Sequence, residues 1–263
     1  MFPGIVLLGR EIGMYAVMAL CGIFSAGIYA CVTANKRGQD YVDLIIFVLF
    51  GALGGVIGSH LLYALVNHND LIYLFSNLGR IESFEMLFAS FAFVFGGSVF
   101  YGSLIGALIA GYIVIRKNNN YRQYIDIVAV NIPLFHAWGR IGCFLGGCCF
   151  GIESHFGFTY HYSLIEEANG VSRFPVQLLE ALFNLALFFT LNCFLKNEKF
   201  KNKLLYVYLI AYSTGRFFIE FLRGDSYRGF LFIFSTSQII SILILCVALP
   251  LMLGLIPRKQ FGK

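Results

Sequence analysis

Long apolar runs separated by short polar breaks organise this chain. Seven of them approach or exceed the roughly 20 residues that cross a bilayer as a helix, at about 12–32, 44–66, 86–115, 125–147, 176–195, 204–222 and 230–256. The third is long for one crossing and carries Gly96, Gly97 and Gly102 in its middle, which predicts a broken or re-entrant segment joined to a helix. The pattern therefore predicts an all-α polytopic membrane protein of about seven transmembrane helices, built as a single integral membrane domain over 1–263. Two longer connections interrupt it, 67–85 and 150–175. The second mixes Phe156, Phe158, Tyr160, His161 and Tyr162 with Glu166 and Glu167, and reads as a small extracytoplasmic cap at the outer interface, a depth that favours Tyr and Phe.

Composition supports the membrane reading and adds an orientation. The chain is 59% hydrophobic and 13% charged, whereas an ordinary soluble domain carries roughly 25% charged residues. The opening MFPGIVLLGRE is too short an apolar run for a signal peptide, and no small-residue cleavage pattern follows, so the first span is expected to stay in place. Lys36, Arg37, Arg116, Lys117, Arg122, Lys196, Lys199, Lys201, Lys203, Arg258, Lys259 and Lys263 collect at one set of span ends. Only Arg10, Arg80, Arg173, Arg223 and Arg228 lie at the other. The asymmetry predicts an N-terminus outside and a C-terminus in the cytoplasm, and it accounts for the net charge of +5 without nucleic acid as a partner. The basic loops are topological signals that can also touch anionic membrane lipids.

Candidate chemistry comes from polar groups inside the apolar runs. In His136-Ala-Trp-Gly-Arg-Ile-Gly-Cys-Phe-Leu-Gly-Gly-Cys-Cys-Phe-Gly151, His136, Arg140 and Cys143 share one helical face. An arginine at membrane depth costs roughly 2.5–3.5 kcal/mol on insertion scales, so Arg140 either faces a cavity or partner or snorkels to the headgroups from a span end. Tyr212, Arg216, Glu220 and Arg223 form a second polar stripe, in which Arg216 and Glu220 can pair and leave Arg223 and Arg140 as excess positive charge. Gln177, Glu180 and Asn184 share a face on the fifth span, where Glu180 either orients an arginine or acts on substrate. Tyr101 stands beside Gly102, where backbone can approach a ligand closely, although a buried phenol also serves structure; Tyr15 is a weaker candidate. Gly51, Gly55, Gly54 and Gly58 on the second span, and Gly102 with Gly106 on the third, give small-xxx-small registers that read as helix packing.

Seven cysteines are present, and only Cys143, Cys148 and Cys149 cluster. No CxxC occurs and no second cluster completes a tetrahedral site, so neither a metal nor a cofactor is expected. Arginines with few compensating acids in a hydrophobic bundle suit a lipid phosphate, which a guanidinium binds through paired charge-assisted hydrogen bonds.

The run GRIGCFLGGCCFG resembles the signature of bacterial prolipoprotein diacylglyceryl transferases, usually GRIGNFxNxExxG. Other blocks agree in order: residues 12–15; YGSLIG at 101–106 against (H/Y)GGLIG; residues 126–133; FPVQLLEA at 174–181 against PxQLYEA; GRFFIEFLR at 215–223; and STSQIIS at 235–241. The resemblance implies a multi-pass enzyme of the bacterial cytoplasmic membrane. Such an enzyme moves the diacylglyceryl group of phosphatidylglycerol to the lipobox cysteine thiol in the signal peptide of a preprolipoprotein, releasing glycerol phosphate. By position it implies that Arg140 and Arg216 hold and polarise the phosphate, that Glu220 orients an arginine, and that Tyr101 stands at the family's His/Tyr position. Arg223, Tyr15, Gln177, Glu180 and Gly102 would line or support the site. The chain departs from the signature where Cys143 replaces Asn, Gly146 replaces the second Asn and Cys148 replaces Glu. With Tyr101 in place of His, His136 is a substitute candidate for the base. A same-fold transferase with another acceptor and a non-enzymatic phospholipid-binding or transport protein are the alternative readings, and a thiol oxidoreductase built on Cys148 and Cys149 is a further one.

Overall fold

The computed structural model describes residues 4–7, 9–81, 83–97, 100–116, 121–225, 230–231 and 233–255. The helices group into two compact units, one made of residues 1–36 and 122–263 and the other of residues 37–121.

In the first unit an antiparallel hairpin, β1 (Gly4–Leu7) and β2 (Arg10–Gly13), leads into helix α1 (Met14–Lys36). Residues 37–121 form the second unit, whose helices are α2 (Tyr41–Val66), α3 (His68–Ser76), α4 (Phe84–Phe95) and α5 (Phe100–Ile115). The first unit resumes with α6 (Tyr121–Gly146), strands β3 (Glu153–Thr159) and β4 (Ser172–Arg173), α7 (Val176–Lys196) and α8 (Leu204–Ile219). It closes with β5 (Phe230–Leu231), β6 (Phe234–Ser235) and α9 (Thr236–Leu253).

Helices α1, α2, α6, α7 and α9 are long and apolar enough to cross a membrane, and α4 and the stretch Ile105–Val114 of α5 are shorter apolar helices. The chain is thus an all-α polytopic membrane protein with small strand pairs at helix ends. The long third run is divided between α4 and α5, as its glycines predicted; Ser98 and Val99 lie outside the described residues. The sixth helix proper ends earlier than expected, because α8 tightens into a 3-10 turn at Glu220–Leu222. The last begins later, because residues 230–235 form the β5–β6 hairpin and Ser235 with Gln238 makes a capping box for α9.

Polarity in the first unit is inverted relative to a soluble bundle. Leu20, Phe24 and Ile28, one face of α1, are each more than half exposed, as are Leu182 and Phe189 of α7. Lipid solvates these faces, so large apolar side chains there need no protein partner. Ala129 and Val130 of α6, Phe188, Leu191 and Leu195 of α7, and Leu204 and Tyr208 of α8 form the apolar core. Buried Asp126 of α6 accepts from the backbone N–H groups of Asn202 at 2.5 Å and Leu204 at 3.0 Å. It thereby satisfies donors at the start of α8 that have no intrahelical acceptor.

The segment after α6 is an ordered cap. Strands β3 and β4 pair antiparallel, and Phe150, Tyr160 and Ala168 form a small buried cluster with Ile165 against it. The Arg173 guanidinium stacks 4.2 Å from the Phe150 ring centroid and donates to the Glu167 carbonyl at 2.6 Å. Tyr160 is therefore core, while Phe156 and Tyr162 remain exposed.

In the second unit α2 and α5 cross where Gly54 and Gly58 meet Gly102 and Gly106. A Cβ on Gly58 or Gly102 would run into the carbonyl of the other, so only glycine permits this approach. Ala64, Leu74 and Val94 form a separate small core of α2, α3 and α4.

Candidate functional site

Pro175 precedes the first turn of α7, and the helical spacing then turns Gln177, Glu180 and Asn184 inward, where they are 1%, 1% and 0% exposed. Glu180 is the point on which the neighbouring helices converge. Its carboxylate lies 3.0 Å from Arg140 Nη2 of α6 and 3.6 Å from Arg216 Nη1 of α8. It also accepts from the Tyr212 hydroxyl of α8 at 3.2 Å, and His136 Nε2 of α6 stands 3.9 Å away. A carboxylate this deeply buried is tolerated because two guanidinium groups offset its desolvation. Arg216 in turn lies 2.6 Å from Glu220 through Nη2, and the same nitrogen donates to the Ser237 hydroxyl of α9 at 3.2 Å.

The charge surplus expected from the sequence is corrected here. Arg140 is paired with Glu180 and is not a free excess charge. Arg223 lies beyond the helical part of α8, where it donates from Nε and Nη2 to the two oxygens of Asp225 at 2.7 and 2.6 Å. Burial opposes the Arg223 charge, yet the Asp225 hydrogen bonds outweigh it and hold its pKa above the usual arginine value. Each of the three arginines therefore has a carboxylate partner, because chain reversal and tertiary packing supply acids that a helical stripe does not reveal. Pairing does not exhaust the donors. Arg140 Nε and Arg216 Nη1 are buried and make no hydrogen bond.

Beyond α6 the chain folds into a tight turn bearing thiols. Gly147 has φ 74° and Cys149 φ 56°, a left-handed conformation that few non-glycine residues adopt. Cys148 N donates to the Cys143 carbonyl at 3.1 Å, which closes the turn on the helix end. The Gln177 side-chain amide donates to the Cys148 carbonyl at 2.8 Å and to the Tyr160 hydroxyl at 3.1 Å, tying the turn to α7 and the cap. Burial pushes the Tyr160 pKa up to about 12, so it remains a neutral phenol. The sulfurs of Cys143, Cys148 and Cys149 all lie within 4.8 Å of one another, and Arg140 Nη1 is 4.0 Å from Cys143 Sγ.

The structure thus brings together His136, Arg140, Glu180, Arg216 and Glu220, and places Cys143, Cys148 and Gln177 at the adjoining turn. Tyr15 of α1 is 56% exposed and packs beside Gly142 of α6. Tyr101 and Gly102 belong to the second unit on α5; Gly102 is engaged in the α2 crossing, and the Tyr101 side chain lies outside the described residues. Sequence reasoning missed Asp225 and Ser237. The two-residue spacing of Arg223 and Asp225 was a signal for the former, and nothing in the helical pattern marked the latter.

Residues 3–254 match the family model described as prolipoprotein diacylglyceryl transferase. A phosphatidylglycerol–prolipoprotein diacylglyceryl transferase of Clostridium tetani is 30% identical over 249 residues, covering 92% of this chain and 93% of that protein. A second such protein, from Clostridium perfringens, is 32% identical over 242 residues, covering 91% and 89%. One from Helicobacter pylori strain J99 is 30% identical over 257 residues, covering 93% and 89%.

Proposed function

We infer that this chain, which belongs to the prolipoprotein diacylglyceryl transferase family, transfers the diacylglyceryl group of phosphatidylglycerol to the lipobox cysteine thiol of preprolipoproteins. The sulfur forms a thioether with the diacylglyceryl carbon, and the phosphate ester leaves as glycerol phosphate. The observation that carries this reading is the convergence of Arg140 and Arg216 on one buried carboxylate with guanidinium N–H groups still unused.

A phosphate brought to these donors receives charge-assisted hydrogen bonds in a site screened from water. The same contacts strengthen as negative charge develops on the departing phosphate. Glu180 and Glu220 hold the two arginines in place, so neither guanidinium must be immobilised at the moment of binding. His136, within reach of Glu180, is the candidate proton acceptor, with Tyr101 as the family-position alternative. Arg223, Tyr15, Gln177, Cys143 and Cys148 support or line the substrate positions. The protein works as one multi-pass domain of the bacterial inner membrane, with its N-terminus outside and its C-terminus in the cytoplasm. Phosphatidylglycerol and the preprolipoprotein signal peptide are its partners.

Purified protein supplied with phosphatidylglycerol and a lipobox peptide is expected to yield both glycerol phosphate and diacylglyceryl-peptide, and Arg140→Ala to lose both. Glycerol phosphate without modified peptide would point to another acceptor. Lipid binding with neither product would replace the transferase reading by a lipid-binding or transport role.

A further inference from the structure

We propose that Cys143, Cys148 and Cys149 form a three-thiolate zinc site whose fourth position receives the acceptor cysteine of the substrate peptide, an inference that rests on the transferase reading above. Four features of the site support it.

The first is distance. Sulfurs around tetrahedral zinc, with Zn–S of about 2.3 Å, stand about 3.8 Å apart. These three already lie within 4.8 Å, so closing on a metal needs movement of about 1 Å, within the reach of side-chain rotation. The second is backbone. Consecutive cysteines ordinarily point apart, yet the left-handed conformation at Cys149 brings its sulfur to the side of Cys148 and Cys143. This conformation is uncommon for a non-glycine residue, and here it gathers the three sulfurs. Gln177 and the bond from Cys148 N to the Cys143 carbonyl hold this turn in place.

The third is coordination number. Among the described residues no further His, Cys, Asp or Glu joins the group, which leaves three ligands and one open position. Three protein ligands with an exchangeable fourth is the pattern of catalytic zinc, whereas structural zinc is closed by four. Cys148 and Cys149 are half-buried, so a ligand can reach that position from outside. The fourth is charge. Zinc with three thiolates carries one negative charge, and Arg140 Nη1, 4.0 Å from Cys143 Sγ, is placed to donate a charge-assisted hydrogen bond to that thiolate.

The chemistry answers a need of the proposed reaction. A free thiol has a pKa of about 8.5 and must lose its proton before attacking carbon. As its sulfur takes the fourth position, the acceptor cysteine gives up that proton, through water, to His136, the proton acceptor of the reading above, and is held as a thiolate. A sulfur lone pair then forms the bond to the diacylglyceryl carbon. The carbon–oxygen bond to phosphate breaks, and its electron pair leaves with glycerol phosphate at Arg140 and Arg216, with the released proton available to the new phosphate oxygen. The product thioether is neutral and a weaker ligand than a thiolate, so the peptide departs.

The test uses the full-length protein in phosphatidylglycerol nanodiscs, stripped by a chelator under a non-thiol reductant and reloaded with zinc or cobalt(II). Elemental analysis is expected to find about one zinc per chain. The cobalt form is expected to show sulfur-to-metal charge-transfer absorption that shifts with a lipobox peptide but not with its serine analogue. Zinc-loaded protein is expected to transfer about tenfold faster than stripped protein, or more. Cys148→Ser and Cys149→Ser are each expected to lose tight metal binding while keeping the parent's helical circular-dichroism spectrum and melting temperature, which shows that they fold. Failure to retain zinc, zinc retained in the Cys148→Ser/Cys149→Ser double variant, or absorption indifferent to the peptide thiol would overturn the proposal. Full transfer by stripped protein would overturn it and leave the transferase standing. A peptide-dependent spectral shift with neither product formed would support the metal and acceptor site and remove the transferase reading.

Discussion

Arg140 of α6 and Glu180 of α7 meet at 3.0 Å in a region where Glu180 is 1% exposed, and this pair joins the two helices of the site. Removing one member of a buried pair leaves an uncompensated charge, at a cost of about 3–5 kcal/mol. Glu180→Gln is therefore expected to lower unfolding free energy by about 3 kcal/mol, because two arginines lose their shared partner. A double-mutant cycle with Arg140→Gln, read by detergent-denaturant unfolding, is expected to show a coupling of about 1–3 kcal/mol. Additive effects would show that the contact is incidental.

Charge and geometry separate at the arginines. Lysine preserves the positive charge toward Glu180 but lacks the planar fork that addresses two phosphate oxygens. Arg140→Lys and Arg216→Lys are each expected to reduce glycerol phosphate release about 100-fold while leaving thermal stability within a few degrees of the parent. Comparable activity in the lysine variants would mean that a point charge suffices.

Asp126 ties α6 to the start of α8. Its carboxylate caps the start of α8 from α6, accepting from Asn202 and Leu204. Asp126→Ala removes both acceptors and is expected to cost about 1–2 kcal/mol, as loss of a helix cap does. The predicted signature is a lower melting temperature with unchanged turnover per folded molecule.

Much of this architecture was legible because lipid imposes simple rules. The apolar runs gave α1, α2, α6, α7 and α9, and the glycine-interrupted third run gave α4 and α5. The polar face of Gln177, Glu180 and Asn184 was readable from spacing, and all three are buried. Helical spacing could not reveal Arg223 with Asp225, since that pair forms after the helix has ended. The grouping of Cys143, Cys148 and Cys149 was readable from the sequence, but not the approach of their sulfurs to within 4.8 Å, which depends on a positive φ at Cys149 and on Gln177 reaching across from another helix. Those depend on chain reversal and tertiary contact, to which a periodic pattern is blind.

The glycine crossing in the second unit admits a direct test. Gly58→Val places branched carbons against the Gly102 carbonyl, which is within clash range of even a single Cβ. Overpacking of this kind costs about 1–3 kcal/mol, and α2 and α5 are expected to separate. Reduced yield of folded protein and faster proteolysis within 37–121 are the expected outcomes. Gly51→Ala is the control, because a Cβ there meets only ordinary contact with Ala107 at 3.8 Å.

Gln177 grips the Cys148 carbonyl rather than its side chain. This hold on the loop thus runs through an atom that every amino acid possesses. A different side chain at position 148 would change the chemistry presented at that spot and leave this hydrogen bond in place.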